Sequence, residues 1–143
     1  MSGVQRGVQD GAPRRWPVSA APRAAATVFV VDATLVALFA AVGRRSHAES
    51  GAVPGVLLTA WPFLVGTVLG WVVALAWRRR APLGVRDGIP VWVCAVAAGM
   101  LLRVATGAGT AFSFVVVATV VLGVFLLGWR ALAALVRRRR PAA

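Results

Sequence analysis

The sequence predicts an all-α, polytopic membrane protein of four transmembrane helices arranged as two hairpins, with both termini in the cytoplasm. Three observations carry that prediction. The 143-residue chain is 59% hydrophobic with a mean hydropathy of +0.80, whereas a soluble domain is about 45–50% apolar. Its apolar residues fall into four runs close to the roughly 20 that a 30 Å hydrocarbon core requires. Its 16 basic residues, all arginine, gather mainly at the ends of those runs, as topology determinants and anionic-lipid contacts do.

Residues 1–23 are polar and rich in Gly, Pro and Arg. Such a stretch cannot bury enough apolar surface to offset the entropy of ordering it, so it reads as a disordered basic tail. Arg14-Arg15 is reminiscent of a twin-arginine export signal. Pro17 stands where that signal wants a large apolar residue, and no clean small-x-small cleavage site follows, so the first helix is expected to remain uncleaved.

The membrane domain covers residues 24–136. The first helix is expected from about Ala24 to Gly43, and the second from about Pro54 to Trp77, stopped by Arg78-Arg79-Arg80. The third begins at Pro90, a suitable first-turn residue, and ends near Thr106. The fourth runs from about Phe112 to Val136, before a basic tail over 137–143. Arg6, Arg14, Arg15, Arg23, Arg78, Arg79, Arg80, Arg86, Arg130 and Arg137 to Arg140 lie on one side. Only Arg44 and Arg45 lie on the other, with Arg103 inside a helix. The positive-inside rule then places both termini in the cytoplasm of a cell-membrane protein. The Arg78–Arg80 and Arg137–Arg140 clusters are expected to meet anionic headgroups.

A net charge of +12 would point to nucleic acid in a soluble chain. Here no aromatic-basic interleaving accompanies it, and nucleic-acid binding is not expected. One cysteine (Cys94) and one histidine (His47) leave no basis for an intrachain disulfide or a Cys/His metal site. The chain carries no paired carboxylates, nucleophile–base arrangement or phosphate-cradling loop, so neither a cofactor nor enzymatic activity is expected.

Asp32 is the residue that asks for an explanation. A carboxylate within a membrane helix must face the bundle, be neutral or be paired. It shares its helical face with Phe29, Val36, Phe39, Ala40 and Gly43. It serves either a structural pairing or a proton- or cation-binding site on a transport path. Arg103 is its candidate partner in an intramembrane polar site, but lies nearer the outer face. Snorkelling outward, Arg103 would instead join an outer basic cluster of Arg44, Arg45, Ser46 and His47. That cluster suits a small anion or lipid phosphate, or else ordinary snorkelling with Glu49 as ion partner.

Gly66 and Gly70, four apart on the second helix, permit close helix packing within the chain or between copies. A homo-oligomer or a membrane-protein partner is therefore open. An echo of Thr59-Ala60-Trp61-Pro62-Phe63 in Thr110-Ala111-Phe112-Ser113-Phe114, each preceded by a helix-end Arg (Arg44, Arg103), is consistent with two similar hairpins.

Asp32, Gly43-Arg44 with Ser46-His47, Pro62-Phe63, Arg103, Ser113-Phe114-Val115 and Gly128-Trp129-Arg130 stand in an order that resembles the domain of unknown function 3054 family of small bacterial and archaeal membrane proteins. The resemblance covers about Ala24 to Leu135. It implies a four-helix membrane domain with Asp32, Arg44, His47, Arg103 and Arg130 as residues of interest, and it implies no activity. The function expected is that of a non-enzymatic membrane component that packs with itself or a partner. The alternative is a small oligomeric transporter or channel for protons or small anions that uses Asp32 and Arg103.

Overall fold

A computed structural model describes residues 20–46 and 53–139. These form four helices: α1 (Ala20–Ser46), α2 (Val53–Arg78), α3 (Val85–Ala105) and α4 (Phe112–Arg139). Each is long and apolar enough to cross a membrane, and there is no strand among the described residues. The chain is thus an all-α polytopic membrane protein. The described parts of the basic ends continue the helices, with α1 starting four residues before Ala24 and α4 running to Arg139. Most of the 1–23 tail, along with His47, Glu49 and Arg140 to Ala143, lies outside the described residues.

The helices pack in a ring: α1 against α2 and α4, and α3 against α2 and α4. Successive helices run in opposite directions, so Ala20, the α2–α3 linker and Arg139 share one end of the bundle. Ser46 and the α3–α4 linker share the other. The core is a column of Val36, Phe39, Phe63, Ala95, Ala118, Leu122 and Leu126. Outward positions are apolar too; Leu58 and Leu101, for example, are 70% and 71% exposed. A helix that is apolar all round belongs in lipid or a large core, and here the inner face is filled by the bundle itself.

The closest approach is between α2 and α3. A Cβ at Gly66 would stand 2.6 Å from the Cys94 carbonyl oxygen, and one at Gly70 would stand 2.5 Å from Val91 Cα. The Gly66 and Gly70 face is therefore occupied within the chain. At Gly99 the missing side chain admits the ring of Phe63. Phe39, Phe63 and Phe114 then cluster, with the first two edge to face at 5.4 Å.

The third helix departs most from expectation, starting at Val85 rather than Pro90. Pro90 sits in its second turn, where its missing N–H removes one intrahelical hydrogen bond. Asp87 in the first turn favours the earlier start, since a carboxylate there meets the positive end of the helix dipole. It also accepts from Arg78 Nη1 at 2.8 Å and Arg80 Nη2 at 3.4 Å. At its other end α3 closes on Gly107, at φ +71°. The Gly107 and Ala108 amides bond back to the Val104 and Arg103 carbonyls, a Schellman arrangement that a glycine at this position permits.

Candidate functional site

Polar side chains collect at two levels of this bundle. The first surrounds Asp32, about 18 Å along α1 from Ala20 at 1.5 Å per residue. Asp32 and Arg130 are both fully buried and form a two-pronged ion pair. Arg130 Nη1 donates to Oδ1 and Nη2 to Oδ2, each at 2.7 Å. The Trp71 indole donates to Oδ2 at 2.9 Å and the Trp129 indole to Oδ1 at 3.1 Å. Each carboxylate oxygen thus accepts twice. A planar guanidinium matches a carboxylate in this fork geometry, which a point-charge ammonium does not.

The rest of the Arg130 guanidinium is equally committed. Nη1 donates to the Leu126 carbonyl at 2.6 Å, while Nε and Nη2 donate to the Pro82 carbonyl at 3.2 and 3.1 Å. All five N–H groups have acceptors. Pro82, which has no N–H of its own to satisfy, is buried although it belongs to the α2–α3 linker. Gly88 provides the passage: a Cβ there would stand 2.9 Å from Arg130 Cδ. One guanidinium therefore ties α4 to α1 and to the linker, and the two indoles add α2 and a second bond from α4. The result is a clip that closes this end of the bundle.

The second level is a cleft of about 540 Å³ at the opposite end. Phe39, Ala40, Gly43 and Arg44 line it from α1, Thr59 from α2, and Arg103 from α3. Ala108, Gly109 and Ala111 come from the α3–α4 linker, and Ser113, Phe114 and Val117 from α4. Arg103 is folded back over its own linker. Nε donates to the Gly109 carbonyl at 3.2 Å and Nη2 to the Ala108 carbonyl at 3.0 Å. The guanidinium carbon lies 4.3 Å from the centre of the Phe114 ring, within cation–π range. Arg103 has no carboxylate partner among the described residues, and no described acid lines the cleft. The Arg44 guanidinium lies against Gly55 of α2, in the space that a Cβ there would fill.

The pairing of Asp32 with Arg103 is therefore corrected: Asp32 meets Arg130, and Arg103 belongs to the cleft with Arg44. The physical reason is depth. Arg103 stands two residues from the end of α3 remote from Asp32, whereas Arg130 stands on α4 at a level near Asp32. The side chains of Arg45 and Ser46, and the whole of His47, lie outside the described residues. Sequence reasoning missed Trp71 as a carboxylate donor and counted Arg130 among the basic residues of the helix end. Its separation from the Arg137–Arg139 run, by two turns of helix, is the signal that sets it apart.

A family model described as protein of unknown function (DUF3054) matches residues 29–133. That span contains Asp32, Arg44, Trp71, Pro82, Arg103, Trp129 and Arg130, hence both polar levels. No curated protein and no solved structure matches the chain.

Proposed function

This chain belongs to the DUF3054 family of proteins of unknown function, and on that premise we propose that it is a non-enzymatic membrane component that holds an anionic ligand in the cleft at its Arg44–Arg103 end. The observation that carries the reading is the state of Arg103. It is a cation partly withdrawn from solvent, fixed by two backbone carbonyls and one ring, with guanidinium hydrogens left over and no carboxylate among the described residues to neutralise it. A charge held in that way is stabilised by an anion that enters beside it. Arg44 lines the same wall.

The other end supports binding over conduction. A proton or ion path through Asp32 needs a carboxylate with capacity to spare, and here both oxygens and all five Arg130 donors are engaged. With the arginine-rich end in the cytoplasm, the cleft faces the outer side and the clip lies toward the inner one. Arg79 and Arg137 to Arg139 are exposed there and are placed to meet anionic headgroups. Association with a second copy or another membrane protein would use the apolar outer faces, since the Gly66–Gly70 face is filled by α3.

The test is thermal stability of the purified protein in a neutral detergent, titrated with phosphate at constant ionic strength. Wild type should rise in Tm by mass action, and Arg103→Gln should not. Equal responses in the two proteins, or no response in either to phosphate or to a phosphate-bearing lipid, would remove the cleft as the working site. In oriented proteoliposomes, no anion or proton flux is expected; a flux abolished by Asp32→Asn would restore the transport reading.

A further inference from the structure

Resting on the cleft as the working site, we infer that its ligand is the phosphate-bearing headgroup of a lipid, received from the membrane leaflet at the Arg44–Arg103 end. The first ground is the level of Arg103. At 1.5 Å per residue the 21 residues of α3 span about 31 Å, hardly more than the hydrocarbon core itself. Arg103, two residues from its end, thus stands where the core gives way to lipid headgroups.

The second ground is the depth and chemistry of the walls. Below the arginines the cleft continues along Phe39, about 10 Å before the end of α1, and Val117, about 7.5 Å beyond the start of α4. That lower part is aromatic and aliphatic. A free inorganic anion would use only the guanidinium level and leave an apolar crevice with no occupant. An amphiphile fills both, with phosphate at the guanidinium and the first carbons of its chains against Phe39 and Val117.

The third ground is the way in. Val117 lines the cleft yet is 51% exposed. Apolar exposure at membrane depth is contact with lipid. The crevice between α1 and α4 therefore opens sideways onto the acyl layer, and a lipid reaches it without leaving the bilayer.

The experiment compares four probes on wild type, Arg103→Gln and Val117→Asn in neutral detergent: phosphatidic acid, phosphatidylcholine, glycerol 3-phosphate and inorganic phosphate. Binding is read by thermal shift and by lipid retained through native mass spectrometry. The arginine-rich opposite end also attracts anionic lipid, so the contrast between variants is the readout rather than total lipid. Phosphatidic acid should bind wild type at least tenfold more tightly than it binds Arg103→Gln, and more tightly than either soluble phosphate binds wild type. Val117→Asn should weaken the lipid alone. Soluble phosphates that bind as well as the lipid would overturn this inference and leave an anion site standing. Lipid binding unchanged in both variants, or no binding by any probe, would overturn the inference and the cleft reading together. If Arg103→Gln does not fold, Val117→Asn, at a half-exposed position, decides the lipid question by itself.

Discussion

Replacing Arg130 by Gln tests whether the buried ion pair is the clip that its geometry describes. The substitution removes both prongs on Asp32 and the contacts with the Pro82 and Leu126 carbonyls, and it leaves a buried carboxylate with only two indole donors. Breaking a buried pair from one side costs about 3–5 kcal/mol in soluble proteins. The lower end applies here, because unfolded membrane helices still find water and headgroup partners for a lone charge. A loss of about 3 kcal/mol would lower the folding equilibrium more than a hundredfold. Asp32→Asn should cost a similar amount, since it leaves the Arg130 cation buried without its counterion. The double variant should recover at least about 1 kcal/mol relative to the sum of the singles, as contacting residues do in a cycle. Denaturation in mixed micelles reads this directly through tryptophan emission, with Trp71 and Trp129 at the site itself. Single variants within about 0.5 kcal/mol of wild type, or a strictly additive double, would refute the structural clip.

Other consequences are independent of that cycle. Asp32→Asn and Arg103→Gln should be additive in stability, because their residues share no partner; coupling above about 0.5 kcal/mol would contradict the separation of the two levels. Gly70→Ala should destabilise by about 1–3 kcal/mol or more, as overpacking against the α3 backbone, measured by the same denaturation. Arg79→Gly should leave the protein unchanged or stabilise it by up to about 1 kcal/mol, because Arg79 sits exposed at φ +51°. For orientation, an impermeant maleimide applied to intact cells should label Ala108→Cys but not Ala81→Cys, both made in a Cys94→Ser background. The reverse pattern would invert the topology.

Helix number and type were legible because four apolar runs separated by arginines leave few alternatives, and the apolar face of α1 is the one that Asp32 predicts. Val36, Phe39 and Ala40 are all buried. The partner of Asp32 was not legible for a reason of measurement. Counting from Ala24 put Asp32 only two turns inside the membrane, whereas α1 starts at Ala20 and carries it about a turn deeper. Counting Arg130 with Arg137 to Arg140 put it at the surface of that same end, although a helix end at Val136 leaves it six residues inside. Both residues were read too shallow, and grouping Arg130 with the surface charges hid side chains that touch. The linker posed a different difficulty: its carbonyl at Pro82 carries no pattern, and only the three-dimensional path of Arg130 past Gly88 shows why that carbonyl is buried.

The clip also explains why its cation is an arginine. A lysine ammonium has three donors on a flexible stem and cannot form the two-pronged pair while reaching both the Leu126 and Pro82 carbonyls. Arg130 serves four acceptor oxygens from one rigid plane, and every atom of the pair is satisfied within the protein. At the cleft the same side-chain type does the opposite. Arg103 spends part of its fork on linker carbonyls and keeps the remainder facing a space. Arginine in a membrane protein is therefore not by itself a mark of a ligand site; what distinguishes the two residues is whether their donors are exhausted. That criterion separates the closed end of this bundle from its open one. It is also why Arg103, and not the more deeply buried Arg130, is the residue to change when a ligand is sought.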